Sequence, residues 1–204
     1  MTPSPIAIID TGMGNIASIK NILRKIRTYP VIVTNPAELA NYKAIIIPGI
    51  GHFDEGMKRL NEQGWTAAIL NYHQQECGLI LGICLGMQLL ATSSEEGQLP
   101  GLGLIKGNVK RFPAIDTAGA VIKIPHIGWN SAKAQNGETP RFYFVHSYYL
   151  EPEDQSAIYF KTTYHITFCS GYHKNAIWGF QFHPEKSHAF GMQLLSLVFK
   201  DFIV

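Results

Sequence analysis

The sequence predicts an α/β protein with a mostly parallel central sheet flanked by helices and an additional antiparallel β portion. Four short apolar runs, typical of strands covered on both faces, occupy positions 6–9, 31–33, 44–47 and 79–83. Apolar residues at helical spacing follow the first and the last of these runs. Aromatic, alternating segments in the second half of the chain indicate antiparallel strands.

The order of these patterns predicts where strands alternate with helices. One helix face directly after the first strand is indicated by Ile16, Ile19, Leu23 and Ile26. Residues 87–90 carry a helical pattern just after the strand at 79–83, so Cys84 lies at a strand-to-helix junction. Further along the chain, we predict strands at 142–145 and 177–182, a closing helix at 190–202, and surface loops at 116–119 and 135–140.

The composition restricts the class of protein. With 204 residues, 46% of them hydrophobic and 16% charged, the chain fits a single globular domain over residues 1–204 and excludes a disordered or fibrous protein. The net charge of +2 comes without a long basic run, so we expect no nucleic acid partner. No stretch approaches the roughly 20 apolar residues that span a bilayer, so we expect no membrane partner either.

The same features bear on compartment and cofactors. Residues 1–10 lack a basic stretch, and Asp10 interrupts their apolar run, so the sequence indicates no secretion signal. The three cysteines, Cys77, Cys84 and Cys169, are an odd number without metal-ligand spacing, as expected for reduced thiols. We therefore expect a cytoplasmic protein with no metal site and no cofactor.

Cys84 stands between two glycines in the segment Gly82-Ile83-Cys84-Leu85-Gly86. This pattern is typical of a tight strand-to-helix elbow that presents a nucleophile, because a Cβ at either glycine would crowd the neighbouring strand and helix. Unpaired N–H groups at the start of the helix would favour the thiolate form of the sulfur. The alternative interpretation is a core cysteine beside two helix-packing glycines.

The segment His183-Pro184-Glu185 can supply a base and a carboxylate that orients it. If the strand before it continues, His183 and Glu185 project from one face, and a local bend would let them contact each other directly. Pro184 lacks an N–H group and marks the place where strand pairing stops. A base needs a third group to hold its tautomer, which Glu185 provides. The alternative interpretation is a solvated loop.

The segment Pro48-Gly49-Ile50-Gly51 directly follows a predicted buried strand. Its glycines let backbone N–H groups turn toward a substrate. Ile50 and Gly51, together with the amide of Leu85, are therefore candidates for an oxyanion hole. The alternative interpretation is an ordinary turn at the end of a strand.

Together these motifs resemble the triad class of glutamine amidotransferases. The resemblance is carried by Gly-Ile-Cys-Leu-Gly-Met-Gln at 82–88, Pro-Gly-Ile-Gly at 48–51 and Gln-Phe-His-Pro-Glu at 181–185. A closer resemblance, to the glutaminase subunits of imidazole glycerol phosphate synthase, is carried by residues 10–15, 125–130, 144–149 and 183–187. It implies the flavodoxin-like class-I fold, a catalytic triad of Cys84, His183 and Glu185, and hydrolysis of L-glutamine to glutamate and ammonia.

The resemblance also implies roles for residues outside the triad. Gln88, one helical turn after Cys84, would bind the amino-acid end of glutamine, and the same pocket would be lined by His146, Ser147 and Tyr148. A partner, the (β/α)8-barrel cyclase subunit of a heterodimer, would meet the face formed by Asn15, Trp129, Asn130 and Lys186. We expect Trp129 and Asn130 on an exposed loop. Alternatively, Trp129 is a core residue, Gln88 lies on a helix surface and Lys186 is a solvated charge.

Other features keep further interpretations open. Thr11 stands where an aromatic residue is usual in the subfamily, and Tyr164-His165 replaces Tyr-Gly. Residues 187–192 also resemble a paralogous branch that supplies ammonia for surface-sugar synthesis instead of histidine synthesis. Two rivals of other classes are a non-catalytic assembly subunit of the same fold and a cysteine peptidase with a similar elbow. A complete triad argues against the first, while Gln88 and Trp129 argue against the second.

Overall fold

The computed structural model describes residues 4–203, so the ends of the predicted domain, residues 1–3 and 204, lie outside the described part. The α-helices within this range are α1 (Ile16–Lys25), α2 (Phe53–Glu62), α3 (Trp65–Gln74), α4 (Leu85–Leu89) and α5 (His188–Val198). The strands in the first part of the chain are β1 (Pro5–Ile9), β2 (Tyr29–Val33), β3 (Ala44–Gly49), β4 (Leu79–Cys84), β5 (Ser93–Ser94) and β6 (Gly107–Arg111). Those in the second part are β7 (His126–Ala134), β8 (Arg141–His146), β9 (Tyr148–Pro152), β10 (Ile158–Tyr164), β11 (Ile166–Lys174) and β12 (Ile177–Phe180).

The described strands join in one sheet with a parallel half and an antiparallel half. Its main order is β2-β1-β3-β4-β12-β11-β10-β7-β8, with β9 paired to β11 and β6 beside this path. The pairs from β2 to β12 are parallel, and those from β12 onward are antiparallel. This arrangement confirms the predicted mixture of a parallel central sheet, flanking helices and an additional antiparallel portion.

The central strands of the parallel half are covered on both faces, as their continuous apolar runs predict. Ile45 and Ile47 of β3 belong to the cluster that contains Trp65 of α3. The intervening Ile46 points the opposite way and belongs to the cluster that contains Leu195 of α5. Successive strand residues alternate between faces, so each face of β3 contributes to a separate apolar layer.

The prediction that residues 31–33 form a strand covered on both faces is wrong in its second part. These residues lie in β2, which forms an end of the sheet, and Tyr29 and Ile32 are 57% and 39% exposed. A run of β-branched residues favours a strand, but the run alone does not distinguish an edge position from a central one.

Other predicted boundaries move for identifiable reasons. The strand predicted at 177–182 ends at Phe180, where the chain leaves the sheet toward the segment containing His183. The closing helix spans His188–Val198 instead of 190–202, and a 3₁₀ turn follows at Lys200–Phe202. Phe202 still packs against Phe199, with ring centroids 6.0 Å apart, so the apolar spacing continues beyond the helix.

The sequence patterns did not identify α2 and α3, which cover one face of the parallel half. Both helices have the buried apolar residues required for packing, including Phe53 and Leu60 in α2 and Ile69 in α3. None of the helices within residues 4–203 is long and apolar enough to cross a bilayer.

We predict that Ile46→Val costs about 1 kcal/mol of the free energy of unfolding, while Ile32→Val costs less than about half of that. Both changes delete the same methylene group, but Ile46 is 0% exposed and Ile32 is 39% exposed. Urea unfolding followed by circular dichroism would measure both losses. Equal losses would contradict the assignment of β2 to the sheet edge.

Candidate active site

Cys84 lies at the carboxyl end of a central parallel strand, the usual position of ligand sites in α/β sheets. It is the last residue of β4, pairs in register with Gly49 of β3, and precedes α4 directly. Its backbone has φ 54° and ψ −112°, a conformation that costs a non-glycine residue of order 1–3 kcal/mol. Although only 7% exposed, Cys84 lines a cavity, which distinguishes it from an ordinary core cysteine.

The two flanking glycines are required by the close packing of the elbow. A Cβ on Gly82 would lie 2.6 Å from the carbonyl oxygen of Gly86, and a Cβ on Gly86 would overlap the carbonyl oxygen of Ile47. Both obstacles are backbone atoms, which cannot rotate away as a side chain can. The steric prediction made for these glycines agrees with the structure.

The proposed base and its carboxylate are held by a 3₁₀ turn and not by a continuing strand. This turn spans Pro184–Lys186, directly after His183. It brings Nδ1 of His183 within 2.8 Å of Oε1 of Glu185, and both side chains are only 2% exposed. The pair therefore forms through the local bend, and the solvated-loop interpretation does not fit its burial.

Backbone and hydroxyl contacts fix the turn against β8. The His183 N–H group donates to the Tyr143 carbonyl oxygen at 2.9 Å. Ser187 Oγ donates to the His183 carbonyl oxygen at 2.6 Å and accepts the Tyr143 N–H group at 3.0 Å. Ser187 is 0% exposed, so this hydroxyl clamp determines where the His183 backbone lies relative to the sheet.

The surroundings of His183 favour its protonated form. Burial lowers the pKa of His183, but Cys84 and Glu185 both raise it, and the result is a pKa of about 9. The Nε2 atom makes no hydrogen bond of standard geometry with the described residues, yet the Cys84 sulfur is near enough to act on this pKa. At neutral pH the site therefore favours an imidazolium on His183, paired with the Glu185 carboxylate.

One cavity of about 280 Å³ collects the residues predicted for substrate and oxyanion binding. Its size is close to the ~300 Å³ lower range of small-molecule pockets. Its lining includes Cys84 and His183 with Ile50, Gly51, Leu85, Gln88, His146, Ser147 and Tyr148. Gln88 is 4% exposed, so it is not a helix surface residue.

Two further polar residues of this site were missed by the sequence analysis. Glu96 lines the cavity, and its Oε2 accepts the N–H group of Phe53 at the start of α2. Gln181 is 0% exposed, and its Nε2 donates to the Cys84 sulfur at 3.8 Å. Gln181 is the first residue of the Gln-Phe-His-Pro-Glu motif, so the motif could have identified it as a site residue. No sequence motif includes Glu96.

The four residues predicted for the partner face differ in their surroundings. Trp129 is 40% exposed and stacks on His188 with ring centroids 5.5 Å apart, so it is not a core residue. Lys186 approaches the neighbouring Tyr143 ring, with Nζ 5.8 Å from its centroid. Asn15 is exposed at the start of α1, where its Oδ1 accepts the N–H group of Ser18 at 3.3 Å.

One expectation about this face needs correction. The segment that contains Trp129 and Asn130 is part of β7 and not a loop. Because neighbouring strand residues face opposite ways, Trp129 points outward while Asn130 turns toward the interior. The Asn130 amide donates to the carbonyl oxygen of Thr163 at 3.0 Å.

His146 and its neighbour His126 form a buried pair with the opposite electrostatics to His183. Burial lowers the pKa of His126 to about 4 and, together with weaker contributions from the other histidines, that of His146 to about 3. Both imidazoles are therefore neutral at physiological pH.

We predict that an NMR titration of the histidine rings separates these groups. His183 should gain its proton as the pH falls through about 9, whereas His126 and His146 should remain neutral until about pH 4 and about pH 3. A His183 pKa near the ordinary 6.5 would contradict the proposed ion pair.

The same shifts predict how stability depends on pH. The raised pKa of His183 contributes stability that is complete below pH 6.5 and is lost as the pH rises through about 9. Below pH 6.5 the unfolded chain binds protons that the folded His126 and His146 exclude. These two residues therefore lower the free energy of unfolding as the pH decreases below 6.5. Urea unfolding at several pH values would measure both trends.

Comparisons with known proteins agree with this geometry. Residues 7–202 match the family described as glutamine amidotransferase class-I. The chain is 45% identical over 204 residues to imidazole glycerol phosphate synthase subunit HisH 2 of Methanococcus maripaludis, covering 96% of this chain and 99% of that one. It is 42% identical to subunit HisH of Moorella thermoacetica, covering 94% and 92% of the two chains.

Solved structures share the fold at lower identity. A crystal structure of a glutamine amidotransferase matches with a TM-score of 0.76 at 16% identity, covering 96% of this chain and 97% of that one. PurLQS from Thermotoga maritima matches with a TM-score of 0.74 at 16% identity, covering 98% and 99% of the two chains. The chain therefore belongs to the class-I glutamine amidotransferase family and, within it, to the HisH subunits of imidazole glycerol phosphate synthase.

Proposed function

We propose that this chain hydrolyses L-glutamine through a thioester on Cys84 and delivers the ammonia to a cyclase subunit of imidazole glycerol phosphate synthase. The cyclase would use it to form imidazole glycerol phosphate and an aminoimidazole carboxamide ribotide in L-histidine biosynthesis, in the cytoplasm. The observation that carries the proposal is the strained Cys84, which shares a cavity with a His183 whose Nδ1 is held 2.8 Å from Glu185.

In the first half of the reaction, the Cys84 thiolate attacks the side-chain amide carbon of glutamine. The carbonyl π electrons move to oxygen, and the resulting tetrahedral intermediate collapses by breaking the C–N bond. The His183 imidazolium supplies the proton that lets the nitrogen leave as ammonia. A γ-glutamyl thioester remains on Cys84, and His183 is now neutral.

In the second half, neutral His183 takes a proton from a water molecule as the water oxygen attacks the thioester carbon. Breaking the C–S bond releases glutamate and restores the Cys84 thiolate beside a protonated His183. Glu185 stabilises the protonated ring throughout and fixes which nitrogen faces the sulfur. Its removal would act on the chemical step more than on substrate binding.

Both tetrahedral intermediates carry an oxyanion that needs N–H donors. We assign these donors to the backbone of Leu85 and of the Ile50 and Gly51 loop, which line the same cavity as Cys84. Loss of one such donor typically slows an acyl transfer by about 10²-fold or more.

Recognition of glutamine is assigned to other residues of the cavity lining. The Gln88 Nε2 group donates to the Tyr148 carbonyl oxygen and to Oε1 of Gln181, so the Gln88 oxygen is left for the substrate ammonium group. The Glu96 carboxylate lines the same cavity and attracts this positive charge. Ser147 and Tyr148 complete the lining. A small cavity of this polarity favours a free amino acid over an extended peptide.

We assign docking of a (β/α)8-barrel cyclase to the outward face that carries Trp129 and Lys186. A half-exposed tryptophan is costly to leave in water and is a frequent anchor of protein interfaces. Ammonia released without an acceptor would be wasted, so a low basal rate is favourable. Docking could raise activity by stabilising a Gly49 to Gly51 backbone that completes the oxyanion hole, provided the cyclase binds that arrangement more tightly.

The surface-sugar alternative rests on residues 187–192, which include the buried clamp residue Ser187. It involves the same chemistry and a different acceptor. The two pathways are distinguished by expressing this chain in a histidine auxotroph that lacks its own glutaminase subunit. Growth on ammonium-poor medium without histidine requires that the chain supply ammonia for histidine synthesis.

We predict that Cys84→Ser abolishes glutamine hydrolysis while the unfolding midpoint stays near that of the wild type. A glutamine-analogue electrophile should label Cys84 and spare the other two cysteines. Burial raises the pKa of the Cys169 thiol to about 12, so that group is unreactive. Labelling is read by peptide mass spectrometry.

Cys77 is the matched control for accessibility, because it is more exposed than Cys84. If accessibility alone determined labelling, Cys77 would react first. Equal labelling of Cys77 and Cys84, or near-wild-type hydrolysis by Cys84→Ser, would overturn the nucleophile assignment.

We predict that Trp129→Ala reduces cyclase-stimulated turnover by about tenfold or more and leaves the basal rate of the isolated chain unchanged. The measurement is glutamine hydrolysis with and without a cyclase subunit and its ligand. Tyr29→Ala, which removes a 57% exposed aromatic residue at the other end of the sheet, is the control and should not change stimulation. Unchanged stimulation in Trp129→Ala would show that the cyclase docks elsewhere.

A further inference from the structure

Two buried histidines connect the interior of the antiparallel half to the glutamine cavity. His146 lines the cavity, whereas His126 lies behind it, and they are 6% and 3% exposed. Nδ1 of His126 is 3.0 Å from Nε2 of His146, and Nδ1 of His146 is 2.7 Å from the carbonyl oxygen of Tyr148. Nε2 of His126 is 3.3 Å from Nδ2 of Asn130.

The carbonyl at one end determines the direction of every hydrogen bond in this series. The Tyr148 carbonyl can only accept, so Nδ1 of His146 carries the proton and its Nε2 is an acceptor. His126 must then donate from Nδ1, which leaves its Nε2 to accept from the Asn130 amide. Both rings are neutral, and all four ring nitrogens have a partner.

The series continues beyond Tyr148 to the nucleophile. Gln88 Nε2 donates to the Tyr148 carbonyl at 3.2 Å and to Oε1 of Gln181 at 3.0 Å. Gln181 is thereby oriented with its Nε2 toward the Cys84 sulfur at 3.8 Å. With both N–H groups used, the Gln88 amide presents its oxygen to the cavity. A reversed Gln88 amide would place two acceptors against each other at Tyr148.

Packing alone does not require a histidine at position 126. The His126 ring stacks on Phe144 at 4.7 Å and on Tyr164 at 4.1 Å between centroids, at angles of 27° and 21°. A phenylalanine would fit such a stack without the desolvation cost of burying an imidazole. The hydrogen bonds that His126 makes within this series offset the desolvation cost of burying its imidazole, which explains why a histidine can occupy this position.

We propose that His126 is a positioning residue for glutamine binding, which acts through His146 to hold the Tyr148 carbonyl and thereby the orientation of the Gln88 amide. The inference rests on the proposed function, because it concerns the same cavity and substrate. His126 does not line the cavity and has no part in the proton transfers of Cys84 and His183. Its loss should therefore weaken substrate binding while the rate of the chemical step is nearly retained.

The test compares His126→Phe with His126→Asn. The phenylalanine retains the aromatic stack and removes the donor to His146. The asparagine places its amide nitrogen near the former Nδ1 position and keeps that donor. We expect His126→Phe to raise KM for glutamine by about tenfold, the value of one hydrogen bond, with kcat changed less than about threefold. His126→Asn should recover most of the loss.

A binding measurement makes the result independent of catalysis. Calorimetric titration of L-glutamine into Cys84→Ser, alone and combined with each His126 change, should give the same tenfold ratio in Kd. Failure of the Cys84→Ser protein to bind glutamine at all would overturn the proposed function itself. Two results would overturn the positioning role alone. One is an equal Kd for His126→Phe and for the protein that keeps His126, and the other is a loss of affinity in His126→Asn as large as that in His126→Phe.

Tyr164→Phe is the matched control, since it alters the same stack and removes only the hydroxyl bond to the Lys123 carbonyl oxygen. It should leave Kd and KM unchanged. If His126→Phe does not fold, His126→Gln replaces it, because the longer side chain brings its amide nitrogen to the former Nε2 position and not to Nδ1. Glutamine binding by His126→Gln as tight as by His126→Asn would contradict the proposal.

Discussion

The close approach of three backbone segments around Cys84 is the constraint on which the rest of the site depends. A Cβ at Gly49 would lie 2.9 Å from the Leu85 Cβ and 3.0 Å from the Gly86 nitrogen. Glycine at these positions lets the end of β3 and the start of α4 nearly touch. This contact brings together the two segments that carry the candidate oxyanion donors, and the apolar layers on the two sheet faces hold the strained Cys84 backbone in place.

The two halves of the sheet contribute different residues to the site. The parallel half carries Cys84, the proposed nucleophile. The turn with His183 and Glu185, the proposed base and its orienting carboxylate, packs against the antiparallel half, which also forms much of the cavity. They meet where β12 pairs with β4 in parallel register from Ile177 to Phe180. The turn that carries His183 begins shortly after this pairing ends, so its position follows from the strand register and from the Ser187 clamp.

The sequence predicted the features that depend on local chemistry. A cysteine between glycines after a buried strand indicates an elbow, and His183 with Glu185 indicates a base with its orienting group. It did not predict Glu96 or the route from Gln181 to His126, because those contacts join segments far apart in the chain. The edge position of β2 was also hidden, since strand order depends on all the pairings together. Which imidazole nitrogen carries a proton follows only from three-dimensional neighbours.

The central place of β12 has a consequence for the chain as it is being synthesised. An N-terminal segment that ends before Ile177 can pair β2, β1, β3 and β4, but it leaves β4 as an open edge with apolar residues on both faces. Open edges of this kind recruit other strands and promote aggregation. The nascent protein must therefore keep this edge apart from other chains until β12 emerges, and Cys84 stays without His183 for the same interval.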